Sequence, residues 1–315
     1  MTQPAVLGCD VTVSTHLRAR TGLLAVSGGA LLWGSTGVAV RIVNQRTGLA
    51  AVSIGFYRVL IAAVVVVLVL RGHGLVDVLR RHPVKLVISG VGFGAYQALY
   101  FVGVQDVGVS VSTLVSLGIA PIALTAGAAL ARRQLPPASG LAVLACAVVG
   151  LALVSLRTES GVPAPHPALG VLASVASGLG YAGITALSRR MSHEDPLVLT
   201  GITSGVGALV LLPFAVVAGL GMPSDAIAVG WLGYIGVVPT VLAYWLFYQG
   251  LRSTAPEVAG VLTLLEPLTA AVLAAIVVHE ALTGLALLGA ALMLVAIGAL
   301  YLRRPAPELT EVPPP

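Results

Sequence analysis

The sequence predicts an all-α integral membrane protein with ten transmembrane helices. Its apolar composition, its scarcity of charge and the spacing of its charged residues predict this fold class. Hydrophobic residues make up 57% of the 315 residues, charged residues make up only 9%, and the mean hydropathy is +1.01. Soluble domains carry about 25% charged residues, so lipid must cover most of this exterior. The 37 glycines fit helices that pack closely within a bilayer.

Charged and polar residues divide the chain into ten apolar runs, numbered here as spans 1 to 10. They cover residues 22–40, 49–70, 84–105, 108–130, 138–156, 168–188, 197–219, 226–250, 257–278 and 282–302. Each is close to the length of about 20 residues that a spanning helix needs. The polar turn Arg252-Ser253-Thr254 separates spans 8 and 9, and His279-Glu280 separates spans 9 and 10. Arg18 and Arg20 precede span 1 as basic residues precede a signal peptide. The run is longer than a usual signal core and nine more follow, so we expect it to be retained.

The basic residues alternate between the two sides of the membrane in unequal numbers. With the N-terminus inside, 13 lie on the inner side: Arg18, Arg20, Arg71, Arg80, Arg81, Lys85, Arg132, Arg133, Arg189, Arg190, Arg252, Arg303 and Arg304. Three lie outside, namely Arg41, Arg46 and Arg157, and Arg58 lies within span 2. The positive-inside rule therefore predicts that both termini are cytoplasmic. Residues 1–21 would form a cytoplasmic tail, and the Pro-rich residues 303–315 would form a disordered one.

This placement of charge also limits the partners. Because the basic residues fall between apolar runs, the positive-inside rule explains the net charge of +5 and no nucleic-acid partner is predicted. Cys9 and Cys146 form neither a metal-ligand spacing nor a disulfide framework. No metal and no cofactor are predicted.

The two halves of the chain resemble each other. Trp33–Arg41 aligns with Tyr181–Arg189 at an offset of 148 residues, and Ala120-Pro121 aligns with Glu266-Pro267 at an offset of 146. Residues 22–156 and 168–302 would each carry five helices. Because five is odd, the second copy enters the membrane from the opposite side. Inverted repeats of this kind are typical of secondary transporters, in which the substrate binds near the midplane between the halves.

Several short sequence words point to a known family. They are Leu31-Leu-Trp-Gly-Ser-Thr-Gly37, Phe56-Tyr-Arg58, Tyr96-Gln-Ala-Leu-Tyr-Phe101, Leu187-Ser-Arg-Arg190 and Leu264-Leu-Glu-Pro-Leu-Thr-Ala270, continued by His279-Glu280. In their order and spacing they make residues 22–302 resemble the EamA family of the drug/metabolite transporter superfamily. The resemblance implies export of amino acids and related compounds. Arg133-Gln134 stands where the family often has Gly-Glu, and His279 precedes Glu280. These departures forbid copying a substrate from any one relative.

Two charged residues lie well inside the spans, where a charge costs about 2.5–3.5 kcal/mol on insertion scales. Arg58 in span 2 could bind a substrate carboxylate through its planar fork of donors. Alternatively, it is a snorkelling or structurally paired arginine. Glu266 in span 9 could couple transport to protons, because burial makes a carboxyl easier to protonate. Alternatively, it is a structural residue at a proline break.

Proline, aromatic and amide residues complete the candidates. Pro121 and Pro267 occupy matching positions in spans 4 and 9, and the sequence predicts helix breaks there that face a central site. Kinks that only improve packing are the alternative. The candidate lining consists of Trp33 in span 1, Tyr96, Gln97 and Tyr100 in span 3, and Tyr244 and Trp245 in span 8. An interfacial aromatic belt is the alternative for Tyr100, Tyr248 and Gln249, and ordinary packing is the alternative for Trp33.

A secondary transporter of the cytoplasmic membrane that works by alternating access is the function these features favour. Its expected partners are a small-molecule substrate, the lipid bilayer, and protons or a counter-substrate. No P-loop and no His-Glu-x-x-His motif occur, which argues against nucleotide hydrolysis and against a membrane-embedded enzyme. The short loops argue against a scaffold. A channel or facilitator stays open as the alternative.

Overall fold

The structure is a computed structural model that describes residues 7–155, 166–277 and 283–302. Within those residues the chain is helical, and the helices follow the ten apolar runs. Span 1 is Leu7–Gly34 continued by Thr36–Thr47, span 2 is Ala51–Leu70, and spans 3 and 4 lie in Pro83–Arg132. Span 5 is Ala138–Ser155, span 6 is Pro167–Arg189 and span 7 is Pro196–Ala218. Span 8 is Ala226–Gly236, Val237–Leu242 and Ala243–Leu251, span 9 is Pro256–Leu262 with Leu265–Val277, and span 10 is Gly284–Leu302. A short helix, Leu75–Arg81, connects spans 2 and 3.

Nine helices of the described part are long and apolar enough to cross a membrane. One of them, Pro83–Arg132, has 50 residues and would be about 75 Å long if straight, far more than a bilayer needs. Gly108 interrupts it with φ 81° and ψ 165°, a conformation open to glycine because it lacks a Cβ. The chain folds back there, since the Tyr100 hydroxyl lies 2.8 Å from Thr113 Oγ1. Spans 3 and 4 are therefore an antiparallel pair, and the expected all-α membrane fold is confirmed.

Several predictions concern residues outside the described part of the chain. These are His279-Glu280, Arg157 and the tail 303–315 with Arg303 and Arg304. At the other end, the helix of span 1 begins at Leu7, inside the segment predicted as a tail. Its apolar membrane portion begins at Arg18.

The helices pack in pairs that correspond under the sequence repeat. If each helix of one pair is replaced by its counterpart in the other half, the result is again an observed pair. Span 1 packs on span 8 and span 6 packs on span 3, while span 2 packs on span 7 and span 5 packs on span 10. Glycines allow the closest approaches. A Cβ on Gly250 would lie 2.7 Å from the carbonyl oxygen of Gly22, and a Cβ on Gly103 would lie 3.3 Å from that of Gly170. Gly22 and Gly170 are 148 residues apart, so span 1 meets span 8 much as span 6 meets span 3.

Span 8 contains a π-helical stretch, Val237–Leu242. Pro239 lies within it and has no backbone N–H to donate to the carbonyl four residues earlier. That carbonyl, of Ile235, accepts a hydrogen bond from Thr240 Oγ1 at 2.8 Å instead. The wider turn is therefore a local consequence of the sequence, and it lies directly before Tyr244.

Polar contacts tie the helix ends together on the side predicted to be inner. Arg132 Nη2 lies 2.8 Å from Glu257 Oε1, which joins the ends of spans 4 and 9. Arg189 Nη1 donates to the carbonyl oxygens of Leu251 and Arg252 at 2.7 and 2.8 Å, which joins spans 6 and 8. These residues all lie at helix ends that the alternation of the spans across the membrane assigns to one side. Their contacts therefore agree with that alternation.

One ion pair lies at the opposite ends of the helices. Arg46 Nη1 donates to Asp225 Oδ2 at 3.0 Å, and Asp225 Oδ1 accepts from the backbone N–H of Ile227 at 3.2 Å. Desolvation raises the pKa of Asp225, but the hydrogen bonds from Arg46 and the Ile227 amide, together with the charge of Arg46, outweigh it, and the pKa lies below its ordinary value. The pair joins the outer ends of spans 1 and 8.

Candidate functional site

Two tyrosines meet at the centre of the bundle. The hydroxyls of Tyr96 in span 3 and Tyr244 in span 8 are 2.7 Å apart and share a hydrogen bond. The two residues are 148 positions apart, which is the offset that aligns the two halves of the sequence. Because the two residues are equivalent in the two halves of the sequence, their contact lies at the junction between the halves.

Two further rings flank this pair. The Trp33 ring lies 4.8 Å from that of Tyr244, and the Tyr181 ring lies 5.6 Å from that of Tyr96, measured between centroids. Trp33 and Tyr181 also match at the offset of 148 residues. We call Trp33, Tyr96, Tyr181 and Tyr244 the aromatic tetrad. Each half of the chain contributes two of its four rings.

Arg58 is tied to the tetrad through an amide. Its Nη2 donates to Gln97 Oε1, and Gln97 Nε2 donates to the carbonyl oxygen of Phe93 at 3.2 Å. Gln97 is buried, and the Phe93 ring lies 5.0 Å from Tyr244. Arg58 is therefore paired with a buried amide. It is held between spans 2 and 3, within electrostatic range of Tyr96 and Tyr244.

Glu266 brings a carboxylate from the other half. It lies in the first turn of Leu265–Val277, where the positive end of the helix dipole favours a negative charge. It is within electrostatic range of Arg58. Among the described residues, neither an ion pair nor a hydrogen bond engages its carboxylate. One guanidinium and one carboxylate thus lie near the same rings without neutralising each other directly.

Several polar atoms of this region are buried without partners. In the described part of the chain, Trp33 Nε1, Arg58 Nε and the Tyr181 hydroxyl are buried and make no hydrogen bond. The Tyr181 hydroxyl lies towards Thr185 and Thr263, but outside hydrogen-bond geometry. More than about 90% of buried polar groups in proteins are satisfied. Three buried polar groups without a hydrogen-bond partner among the described residues therefore lie in one cluster.

The comparisons with known proteins agree with this architecture. Residues 20–156 and 168–302 each match the profile of the EamA-like transporter family, and together they make up most of the chain. This chain belongs to the EamA-like transporter family. The family is part of the drug/metabolite transporter superfamily. The chain is thus a multi-pass membrane transporter whose partners include the bilayer and small-molecule substrates, and the match points to a transporter rather than an enzyme.

Relatives of this transporter span nearly its whole length. The uncharacterized transporter YwfM of Bacillus subtilis is 26% identical over 275 residues, which are 85% of this chain and 89% of that protein. An uncharacterized transporter of Archaeoglobus fulgidus is 29% identical over 280 residues, or 88% of this chain and 95% of that one. One crystal structure superposes with a TM-score of 0.74 at 20% identity, covering 91% of this chain and 96% of the other. It establishes the fold alone.

Five of the seven substrate-binding candidates lie together in the transporter, namely Trp33, Arg58, Tyr96, Gln97 and Tyr244. Tyr100 lies within electrostatic range of Arg58 and Glu266, but its hydroxyl is engaged by Thr113. Trp245 does not join the cluster. Its side chain is 37% exposed, on the face of span 8 that also carries the exposed Leu242.

Two further tyrosines lie inside the bundle. Tyr248, for which an interfacial belt was the alternative, is only 3% exposed, and its hydroxyl lies 3.4 Å from Thr203 Oγ1. Tyr181 was missed as a site residue. Its alignment with Trp33 was the signal that could have found it, because the repeat predicts equivalent surroundings for equivalent positions.

The predicted helix break at Pro121 is wrong, whereas span 9 is interrupted just ahead of Pro267. Helical backbone continues through Pro121, and the interruption in Pro83–Arg132 is at Gly108. The interruption in span 9 is at Thr263 and Leu264, ahead of Pro267. Pro267 is the third residue of the helix that follows, where its missing N–H is not needed. A cavity of about 490 Å³ opens beyond this break towards the outer ends of spans 1, 8 and 9, and its lining includes Ser35, Tyr234 and Leu273.

Proposed function

We propose that this transporter is a secondary carrier of the cytoplasmic membrane that exports small metabolites, such as amino acids or related compounds, by alternating access. The observation that carries the proposal is the aromatic tetrad with its unpaired polar atoms, built equally from both halves of the chain. A site at the junction of two repeats can be exposed to either side by rocking one half against the other.

The proposed halves are residues 22–156 and 168–302, related by an inverted five-helix repeat, with both termini cytoplasmic. Two observations support the repeat. The family profile matches the chain twice, and the helix pairs that pack together correspond to one another under the offset that aligns the two halves. The charge asymmetry supports the orientation. Single cysteines in a variant lacking Cys9 and Cys146 test it with a membrane-impermeant thiol reagent. Thr47→Cys should react in intact cells and Ser253→Cys only after permeabilisation, and the opposite pattern would overturn the orientation.

The charges of the site favour a zwitterionic substrate. A guanidinium binds a carboxylate in a bidentate manner, so Arg58 is assigned the substrate carboxylate. A substrate ammonium group fits between the Glu266 carboxylate and the tetrad rings, whose faces attract cations. Gln97 orients Arg58, and the unpaired Trp33 Nε1 and Tyr181 hydroxyl supply further donors. An amino acid carries both required charges on adjacent carbons.

Counterflow in proteoliposomes tests the proposal. The purified transporter is reconstituted, and exchange of labelled compounds is measured across a panel of amino acids, amines and carboxylates, with and without a pH gradient. We expect saturable self-exchange of zwitterionic amino acids, with weaker exchange of the matched amines and carboxylates. Flux that does not saturate would indicate a channel instead. If no member of the panel exchanges, the small-metabolite assignment is wrong.

A further inference from the structure

Three side chains that the transport site does not use converge on the side predicted to be cytoplasmic. His82 Nε2 lies 3.1 Å from Glu194 Oε1, His193 Nε2 lies 3.4 Å from the same oxygen, and the two nitrogens are 3.3 Å apart. We propose that His82, His193 and Glu194 form a zinc-binding site that joins the two halves of the transporter at this end.

The distances carry the proposal. In tetrahedral zinc sites the metal lies about 2.0–2.1 Å from histidine nitrogens and about 2.0–2.2 Å from carboxylate oxygens. Two ligand atoms of a regular tetrahedron at such bond lengths are therefore about 3.3–3.5 Å apart. Two edges of this triangle, 3.3 and 3.4 Å, fall in that range, and the third, between His82 Nε2 and Glu194 Oε1, is slightly shorter at 3.1 Å. A zinc ion above the triangle would leave its fourth position for water.

The chemistry of the three atoms supports a cation between them. Each imidazole can present an Nε2 lone pair and the carboxylate can present an oxygen, so all three atoms can give electron pairs to one cation. Glu194 is nearly buried, with 6% of its side chain exposed, and its Arg81 partner is exposed and 3.4 Å away, so a cation bound at the carboxylate would neutralise it more fully. Two imidazoles and one carboxylate are a ligand set that zinc accepts.

The three residues are placed by ordered backbone and can be reached from water. His82 is the residue before Pro83–Arg132, and Glu194 lies in the turn between spans 6 and 7, where its N–H donates to the carbonyl of Met191. The neighbouring Asp195 caps Pro196–Ala218, so it is engaged elsewhere. The side chains of His82 and His193 are 22% and 60% exposed, which provides an entry path.

Arg81 is the competitor for this site. Its Nη1 lies 3.4 Å from Glu194 Oε1, and its side chain is 61% exposed, so it can swing into solvent when a metal binds. Its positive charge opposes a divalent cation. Removing that charge should therefore tighten zinc binding, whereas it would weaken a cluster held together only by protons and ion pairs.

Isothermal titration of the tag-free protein in detergent with Zn²⁺ tests the site. We expect one zinc per chain, with X-ray absorption showing nitrogen and oxygen neighbours at about 2.0–2.2 Å. His82→Ala, His193→Ala and Glu194→Gln should each weaken binding by at least about tenfold. The control His73→Ala, an exposed histidine on the connection between spans 2 and 3, should bind as the parent does.

A second variant separates a lost ligand from a damaged fold. Arg81→Gln keeps all three ligands and should bind zinc at least as tightly as the parent. No zinc binding by the parent overturns the proposal, as does unchanged binding in all three ligand variants or weaker binding in Arg81→Gln. Because binding is measured without transport, these results do not depend on whether the proposed carrier function is correct.

Discussion

Spans 4 and 9 occupy matching places in the two halves and carry matching prolines, yet they differ. Span 4 is helical through Pro121, whereas span 9 is interrupted at Thr263 and Leu264 and starts again at Leu265. A proline inside a helix deprives the carbonyl four residues earlier of its donor. For Pro267 that carbonyl belongs to Thr263, and the N–H of Glu266 donates to it at 3.0 Å. The same residue type is thus inside a helix in one half and near a helix start in the other.

This difference places the charge of the site. In span 4 the residue before the proline is Ala120, which is buried. In span 9 it is Glu266, which lies in a new first turn where a carboxylate is favoured by the helix dipole. At these matching sequence positions, only the second half therefore presents a carboxylate. Local departures between matching segments can thus give the two halves different chemistry.

The largest expected effect comes from removing that carboxylate. Glu266→Gln should abolish transport driven by a pH gradient while substrate exchange continues at a lower apparent affinity, because glutamine keeps the size and an acceptor oxygen for the substrate ammonium group but cannot carry a proton. Transport with and without the gradient in proteoliposomes measures this. The matched control is Glu257→Gln in the same span, where the carboxylate pairs with Arg132 instead. Equal gradient dependence in Glu266→Gln and the parent would show that Glu266 is not the coupling group.

The two prolines should differ in their effect on stability. Pro121→Ala restores an N–H that can donate to the Leu117 carbonyl, and an interior proline costs up to about 3 kcal/mol relative to alanine. Alanine also keeps the Cβ that packs near Gly260. We expect a higher unfolding temperature in detergent for Pro121→Ala and little change for Pro267→Ala. Equal shifts in the two variants would contradict the difference between spans 4 and 9.

Span 1 should tolerate an added side-chain atom at its contact with span 9 less well than span 6 does at the aligned position. A Cβ on Gly34 would lie 2.4 Å from Thr269 Cβ and 2.8 Å from the Glu266 carbonyl oxygen. The aligned residue of span 6 is Ala182, which already has a Cβ. Gly34→Ala should cost about 1–3 kcal/mol of stability through overpacking, measured by thermal unfolding. Gly37→Ala in the same span meets no atom within 4 Å and is the control; equal losses would refute the close contact.

The smallest effect is expected where the halves match. Tyr96→Phe or Tyr244→Phe removes the shared hydroxyl contact, which contributes about 1 kcal/mol. The apparent substrate affinity should fall by at most about tenfold, and the double variant should be no worse than either single one, because both lose the same bond. Tyr57→Phe, whose hydroxyl donates to the Gly221 carbonyl near the outer surface, is the control. Additive losses in the double variant would mean that the two hydroxyls act separately.

Much of the fold could be predicted because it depends on local properties of the chain. Apolar length and charge spacing give the spans, and the turn between spans 3 and 4 lies at Gly108, where the predicted runs meet. The packing of five candidate residues into one cluster also follows the pattern of the repeat. Composition and short words were enough to identify the family.

The rest depends on how helices are rotated and where they begin. Trp245 and Tyr244 are neighbours in sequence, but only the local turn of span 8 decides which one points inwards. Whether Pro121 and Pro267 interrupt a helix depends on where each helix begins, and the spacing of charged residues does not specify those starts. The triangle of His82, His193 and Glu194 joins loops more than 100 positions apart, so no sequence motif announces it.

The π-helical stretch before Tyr244 acts as a built-in change of register. One added residue rotates everything beyond it by about 100° around the helix axis. Because Pro239 cannot donate the hydrogen bond of an ordinary α-turn, the helix cannot recover its register at that point. The direction of Tyr244 is therefore set by a proline more than one turn away. A substitution that let this stretch tighten would turn the ring out of the tetrad without altering any residue of the site.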